Sequence, residues 1–361
     1  MLFMITRPTI VYFSGTGNVA FVVRQLEDAF LESGASPFLL ALETKDKNKK
    51  ESKGEYLDPY GLLRAQAPVA FFSPYDTSAT DKMCPIPKDS DFLMLVFPVH
   101  SFDAPAPLLE FVESLNAKQQ RDTAVISVSG GGDILPNRAC RARLIKRLEK
   151  KLFHVVYEAE VTMTSNFMYP TPPHAAAAII RVLPETCRMV VDELQSGLTL
   201  RTKAPVIDRI CSQLGLLERS RGMGGQTYFG KHIRAGSSCV GCSWCADHCP
   251  RGNISMQERA LVFDDSFTAD DASVLESTFK GMNTPVFGDS CVICLRCLYG
   301  CPKHALRAES NSFSLIKEGY SLKAVIDNAL SSASEAASED LLRKELKGFL
   351  WKGVREYLGL E

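Results

Sequence analysis

The sequence predicts an α/β protein: a doubly wound parallel sheet of five strands, followed by a small α+β cysteine-rich domain and a helical tail. Three observations carry this prediction. Short apolar runs alternate with helical stretches over the first 200 residues, which is typical of a parallel sheet covered on both faces. One cysteine pattern then occurs twice between residues 239 and 302. After residue 320, apolar residues recur at helical spacing among charged ones.

The first 200 residues contain apolar runs with the length and composition of buried parallel strands. These runs are residues 10–13, 37–42, 91–97, 123–128 and 154–157. Helical stretches separate most of them, around residues 105–116, 138–152 and 174–196.

Unusual loops follow the first, third and fourth of these runs. In the strand order 2-1-3-4-5 the loops meet at the carboxyl edge of the sheet, at the switch point where such sheets bind ligands. We therefore expect a cofactor at this edge. The candidate binding residues are Ser14, Gly15, Thr16, Gly17, Asn18 and Val19, then Pro98, Val99, His100, Ser101 and Phe102, and lastly Ser129, Gly130, Gly131, Gly132 and Asp133.

The first loop lies between a strand and a helix, which presents its backbone N–H groups and the helix N-terminus to a phosphate. No Gly-Lys-Ser/Thr follows it, and the third glycine of the G-x-G-x-x-G fingerprint is missing. It is therefore neither a Walker loop nor a dinucleotide-binding fingerprint. A plain tight turn between strand and helix is the alternative.

The repeated cysteine pattern reads C-x2-C-x2-C-x3-C-P, the ligand run of bacterial ferredoxins with two [4Fe–4S] clusters. In such a run three thiolates bind one cluster, and the fourth, before proline, binds the other. Zinc sites pair C-x2-C knuckles instead, so the clusters are favoured over zinc or disulfides. We assign one cluster to Cys239, Cys242, Cys245 and Cys301, and the other to Cys291, Cys294, Cys297 and Cys249.

The four other cysteines are scattered, and we expect them to be small buried hydrophobic residues. They are Cys84, Cys140, Cys187 and Cys211. Clusters and free thiols indicate a reducing compartment, the cytoplasm. A net charge of −1 and an ordinary composition give no indication of nucleic acid or a membrane surface. We also expect no signal peptide and no membrane span.

Residues 8–200 resemble flavodoxin, and the loop Ser14–Asn18 is similar to its FMN phosphate loop. The whole chain resembles the fused flavodoxin–ferredoxin family. The resemblance implies that Ser14, Thr16, Gly17 and Asn18 hold the FMN phosphate, and that the loops 98–102 and 129–133 flank the isoalloxazine ring. Two residues depart from the family pattern. Val19 stands where a threonine is usual, and His100 replaces a tyrosine, although Phe102 or His100 could still stack on the ring.

The predicted organisation has four segments: a flavodoxin-like FMN domain (1–200), a linker (201–235), a two-cluster ferredoxin domain (236–310) and a helical extension (311–361). Residues 44–91 form either a lid over the flavin or a surface elaboration. The basic, glycine-rich linker is either a tether or a cationic patch for an acidic partner. The extension packs on the protein's own domains or forms a homodimer contact.

Two one-electron clusters and a flavin form a short redox chain. We expect an oxidoreductase in which a redox protein or low-potential donor reduces the clusters, and FMN reduces a small molecule or cofactor. His100 is the candidate proton donor because its pKa range is suitable; stacking on the ring is the alternative. A non-enzymatic electron carrier is the second hypothesis. A flavodoxin half that has lost FMN and serves as a docking module is the third.

Overall fold

In the computed structural model, most of the predicted lid and part of the predicted linker lie outside the described residues, as do Cys84 and Cys211. The structure describes residues 4–43, 66–72, 86–116, 120–135, 137–202, 204–210, 226–258, 283–309, 315–331 and 337–361.

A parallel sheet forms the centre of the first half of the chain. Its strands are β1 (Pro8–Tyr12), β2 (Phe38–Ala41), β3 (Val69–Phe71), β4 (Phe92–Pro98), β5 (Asp122–Ser129) and β6 (His154–Thr162). They lie in the order β3-β2-β1-β4-β5-β6. The five predicted strands therefore lie in the predicted order, and the prediction of an α/β doubly wound sheet is confirmed.

The predicted number of strands is wrong, because β3 adds a sixth. This strand pairs with β2 at the edge of the sheet, with Leu39 opposite Val69 and Ala41 opposite Phe71. It is only three residues long and half-buried. A run this short lacks the four to eight residues from which a strand can be recognised.

Helices cover both faces of the sheet, as predicted. Their ranges are α1 (Asn18–Glu32), α2 (Ala106–Ser114), α3 (Ala142–Lys150) and α4 (Pro173–Gln195). Successive strand side chains point to opposite faces: Ile10 packs in the hydrophobic cluster that contains α1 and α4, whereas Val11 packs in the cluster that contains α2 and α3. Both faces of the central strands are thus buried, which explains their continuous apolar sequences.

Within its described residues, the cysteine-rich domain has two antiparallel strand pairs and three short helices. Its elements are α5 (Gln226–Lys231), β7 (Ile233–Ala235), α6 (Trp244–Asp247), β8 (Ile254–Glu258), β9 (Asn283–Phe287), α7 (Arg296–Gly300) and β10 (Leu306–Ala308). Strand β7 pairs with β10, and β8 with β9. Strand β7 lies inside the range predicted as linker.

The two cysteine runs have the same backbone handedness at equivalent positions. Gly241, Ser243 and Gly252 of the first run have positive φ, and so do the corresponding residues of the second run, Ile293, Leu295 and His304. The sequence repeat is therefore also a repeat of backbone conformation.

The tail is helical, as predicted, and packs on the first domain. It contains α8 (Leu322–Ser331), α9 (Glu339–Glu345) and α10 (Lys352–Tyr357). Leu342, Leu346 and Val354 are buried in the same hydrophobic cluster as α1 and α4. Within the described ranges, every helix is too short or too polar to cross a bilayer.

Candidate functional site

The eight cysteines of the repeated pattern line two cavities, four in each. The proximal cavity is lined by Cys249, Cys291, Cys294 and Cys297, and the distal cavity by Cys239, Cys242, Cys245 and Cys301. These are the two sets assigned from the spacing. Among the described side chains, no three of His, Cys, Asp or Glu gather around a point where one metal ion would sit. The four cysteines of each set instead line one cavity, an arrangement that fits a polynuclear cluster.

Backbone amides point at the cysteine sulfurs. The N–H of Asn253 donates to Cys249 Sγ at 3.3 Å, and the N–H of Ala305 donates to Cys301 Sγ at 3.3 Å. These two bonds occupy equivalent positions of the repeat. Hydrogen bonds to the sulfurs adjust the reduction potential of iron–sulfur clusters, so the donor set and its surroundings both fit that cofactor.

Burial favours the protonated form of two of these thiols, Cys245 and Cys291. Loss of hydration raises the pKa of Cys245 to about 12 and that of Cys291 to about 11. Iron bound in the cavity would reverse this, because a thiol that coordinates a metal ion is deprotonated.

The loop Ser14–Asn18 retains the donors that a phosphate needs. Gly17 has a φ of 100° and caps α1, whose N-terminus faces the loop. Ser14 Oγ accepts the N–H of Ala20 at 3.3 Å, and Thr16 Oγ1 accepts Nδ2 of Asn166 at 2.5 Å. A hydroxyl that only accepts still has its own proton to donate. The loop therefore fits an anionic phosphate.

Val19, one of the two departures from the family pattern, lies in the core. Its side chain is only 1% exposed and packs in the hydrophobic cluster between α1 and the sheet. A residue buried there can contribute its backbone N–H to the loop, but its side chain offers nothing to a phosphate.

A fourth loop, residues 163–171, also lies at the carboxyl edge, and the sequence analysis missed it. Asn18 Nδ2 donates to the carbonyl of Thr164 at 2.8 Å, and Asn166 reaches Thr16. The hydroxyl of Tyr320, in the helical tail, forms hydrogen bonds with both Asn18 Oδ1 and Thr164 Oγ1. This loop has no glycine, so no local signal could have identified it, apart from its position after the last strand.

The loop Pro98–Phe102 has an uncommon backbone. Ser101 and Phe102 both have positive φ, 47° and 64°, which is uncommon for residues other than glycine and is often found at functional sites. Phe102 is 39% exposed. The ring of His100 lies edge-on to Phe13 with centroids 6.0 Å apart, and its backbone exchanges two hydrogen bonds with Asp103. The catalytic role of His100 stays a prediction.

The loop Ser129–Asp133 is hydrogen-bonded to the carboxyl group of Glu160, which the sequence analysis missed. Ser129 Oγ donates to Glu160 Oε1 at 2.7 Å and accepts the N–H of Gly132 at 3.0 Å. Loss of hydration raises the pKa of Glu160 to about 7, against the lowering effect of the hydrogen bonds from Ser129 and Thr162. A group that titrates near neutral pH therefore supports this loop.

Comparisons with known proteins agree with both halves of this arrangement. A family model described as "4Fe-4S dicluster domain" matches residues 238–305. The chain carries a dicluster domain. The first half has the strand order of a flavodoxin, with one added edge strand. The prediction of a flavodoxin-like domain fused to a two-cluster ferredoxin domain is thus confirmed.

Several solved structures are similar to the flavodoxin-like domain. An archaeal flavodoxin is 10% identical, with 52% of this chain and 99% of that chain covered and a TM-score of 0.30. A Streptococcus pneumoniae flavodoxin is 11% identical, covering 54% and 100%, with a TM-score of 0.30. For the Megasphaera elsdenii flavodoxin these values are 17%, 42% and 84%, with a TM-score of 0.26. No curated protein matches the sequence.

The dicluster domain lies directly on the loop Ser14–Asn18 of the flavodoxin-like domain. A Cβ atom at Gly15 would lie 2.3 Å from the carbonyl oxygen of Cys294, so only glycine permits this approach. Arg296 donates from Nη2 to the carbonyl of Ser14 at 2.6 Å, and from Nε to that of Gly15 at 3.3 Å. The wall of the proximal cavity is therefore in contact with the loop that fits a phosphate.

Two ion pairs and an apolar contact fix this interface. The buried guanidinium of Arg296 lies 2.5 Å from Glu43, and Arg251 lies 2.9 Å from Glu110 of α2. Val292 is 3% exposed and packs in the hydrophobic cluster of α2 and α3. The sequence analysis missed both arginines, since their partners lie more than one hundred residues away.

The prediction for the remaining cysteines is confirmed where the structure describes them. Cys140 and Cys187 are fully buried in the hydrophobic clusters of the flavodoxin-like domain, and burial raises the pKa of both thiols to about 12. They are therefore unreactive core residues.

Proposed function

We propose that the protein is an FMN- and iron–sulfur-dependent oxidoreductase. A dicluster domain joined to a flavodoxin-like domain indicates redox electron transfer. The contact between Gly15 and the Cys294 carbonyl carries the finer proposal, because it puts the proximal cavity beside the loop that fits the FMN phosphate. When bound, the clusters supply one-electron transfer, and the flavin accepts one or two electrons and can pass a pair to a small molecule or cofactor.

In this proposal each set of cysteines holds one [4Fe–4S] cluster, and the sets act in order. The distal set includes the exposed Cys242, whereas Cys294 of the proximal set packs on the flavodoxin-like core. The distal cysteines would therefore hold the cluster that accepts electrons from a partner, and the proximal cysteines would hold the cluster next to the loops at the carboxyl edge of the sheet.

The loops at that edge have distinct roles in the proposal. Ser14, Thr16 and the N-terminus of α1 bind the phosphate. The exposed ring of Phe102 lies on a loop that would flank the isoalloxazine, and the loop 129–133 flanks it on the other side. His100 and Glu160 are the two groups near this edge with chemistry suitable for holding or moving a proton; Glu160 reaches the loop through the Ser129 hydroxyl.

A non-enzymatic electron carrier is the second candidate, and the tail favours it. A Cβ atom at Gly353 of α10 would lie 2.2 Å from the carbonyl oxygen of Gly131. The tail thus covers one side of the loop 129–133. A carrier needs only an exposed flavin edge, whereas a small-molecule substrate needs room beside the ring.

The deciding experiment is an anaerobic purification followed by quantification of iron, sulfide and released flavin per chain. We expect about eight irons, matching two [4Fe–4S] clusters, and one FMN. Full iron without flavin, even after FMN is added, would reject the flavoprotein proposal. With both cofactors present, oxidation of the reduced protein by a panel of small molecules supports the oxidoreductase. Oxidation by redox proteins alone supports the carrier.

A further inference from the structure

We propose that the solvent face of the β7–β10 strand pair is a docking surface for an acidic redox protein that delivers electrons to the distal cavity. This docking surface consists of Lys231, Arg234, Lys303 and Arg307. The proposal deepens the proposed function and depends on one part of it, that the cysteines hold clusters which carry electrons. It does not depend on FMN.

The two cavities differ in their access to a partner. The proximal cavity faces the flavodoxin-like domain, where Val292 is 3% exposed and Cys294 packs on the core. At the distal cavity, Cys242 is exposed and Val240 is 49% exposed. A protein that binds at Val240 and Cys242 approaches the distal cluster directly, whereas the flavodoxin-like domain covers this route to the proximal one.

The β7–β10 pair next to the distal cavity has two arginines opposite each other. Ile233 and Leu306 are buried on the core side, and Arg234 and Arg307 are exposed on the other side as direct partners across the antiparallel ladder. Like charges at directly opposite positions destabilise a strand pair. The pairing places two like charges side by side, and an incoming negative surface would compensate them.

Two lysines extend the positive surface to the edge of the cavity. Lys303 lines the distal cavity itself, and Lys231 ends α5, where its carbonyl accepts a hydrogen bond from Arg234. Both lysines are exposed. Glu309, directly after β10, lies 3.5 Å from Arg234 and offsets one of these four positive charges. Since the whole chain has a net charge of −1, the positive charge that remains is a local feature.

The chemistry of the step defines the partner as a redox protein. One electron leaves the reduced centre of the donor and enters the distal cluster, whose charge falls by one; no bond forms or breaks, and no proton moves. The donor must therefore bring a one-electron centre close to Cys242. A small apolar centre at Val240 with a charged rim is the usual anatomy of a transient protein interface, and charged rims accelerate association.

The test is the rate at which a reduced acidic plant-type [2Fe–2S] ferredoxin reduces the clusters, followed by stopped-flow absorbance. We expect the variant Arg234→Glu/Arg307→Glu to lower the second-order rate constant at least about tenfold at low ionic strength. The difference should disappear towards 1 M salt, where the screening length is about 3 Å. The control Lys344→Glu/Lys347→Glu makes the same charge change on the exposed tail and should react like the wild type.

Further measurements separate the possible outcomes. Iron content checks that each variant holds its clusters; if the charge reversal loses iron, Arg234→Gln/Arg307→Gln replaces it, with a smaller expected decrease. Titration of the oxidised ferredoxin into the protein, with calorimetric detection, reports docking without any electron transfer. Equal rates for variant and wild type at low salt, or an equal loss in the control, would overturn the proposal. Flavin content reports on the flavoprotein proposal separately, because cluster reduction is measured with or without FMN.

Discussion

Gly15 has no room for a side chain, because the dicluster domain packs directly against it. We expect Gly15→Ala to lower the free energy of unfolding by about 1–3 kcal/mol, the usual cost of overpacking, since the new Cβ would meet the Cys294 carbonyl at 2.3 Å. Gly236→Ala is the matched control, because its Cβ would meet only the Ala305 carbonyl, at 3.5 Å. Anaerobic denaturant titration of the cluster-loaded protein measures both. Equal losses would show that Gly15 does not touch the dicluster domain.

Glu160 should make the stability of the protein depend on pH. Its pKa is raised from 4.5 to about 7 by loss of hydration, so the folded state binds more protons than the unfolded state between these values. Stability from this group is therefore full below about pH 4.5 and is lost as the pH rises to about 7. We expect the free energy of unfolding of Glu160→Gln, relative to that of the wild type, to be higher at pH 8 than at pH 5 by on the order of 2 kcal/mol.

Denaturant titrations of both proteins at the two pH values measure this difference. Asp133 and Arg141 face the same carboxyl, as does Tyr357 of α10, and all three remain in the variant, so their own effects cancel in the comparison. Glu318→Gln, at an exposed position, is the control and should show no such change. A pH-independent difference for Glu160→Gln would contradict the prediction.

At the scale of single elements, Arg296 at the start of α7 holds the loop Ser14–Asn18 against the dicluster domain. We expect Arg296→Met to lower the free energy of unfolding by about 3–5 kcal/mol, because the buried carboxylate of Glu43 would lose its ion pair with Arg296. Arg296→Met/Glu43→Met removes both charges and should recover part of the loss, although the hydrogen bonds from Arg296 to the carbonyls of Ser14 and Gly15 are missing from both variants. Thermal unfolding of the three proteins, with iron content as a check, measures the effect. A double variant as unstable as the single one would exclude the ion pair as the cause.

The sequence predicts those elements whose signal is local. The buried strands have continuous apolar runs, the helices have 3.6-residue periodicity, and the cysteine spacing carries its own chemistry. Strand β3 was missed because three residues have too little periodicity. The contacts of Arg296 with Ser14, and of Tyr320 with Asn18, join residues 282 and 302 positions apart, and no pattern within either segment encodes such a pairing. For this reason the interface, unlike the fold, had to be learned from the structure.

At the scale of the whole molecule, the clusters should stabilise the loop 14–18. Cluster binding folds the surrounding cysteine runs, and these runs cover Ser14 and Gly15, which are held by Arg296. Removal of iron should therefore expose the loop 14–18 as well as the dicluster domain. We expect amide hydrogen exchange in residues 14–18 and 289–300 to accelerate by at least about tenfold, since local opening becomes less costly.

Hydrogen exchange with mass spectrometry, on the iron-loaded and the chelator-treated protein, measures this coupling. The end of α4 is an internal control, because Gln195 bonds the backbone of Ile5 at the opposite edge of the sheet. Its exchange should stay the same in both samples. Faster exchange there would instead indicate global unfolding, which accelerates every segment. Faster exchange in residues 289–300 with no change in 14–18 would mean that the two domains open independently, and the contact at Gly15 would then not couple the clusters to the loop 14–18.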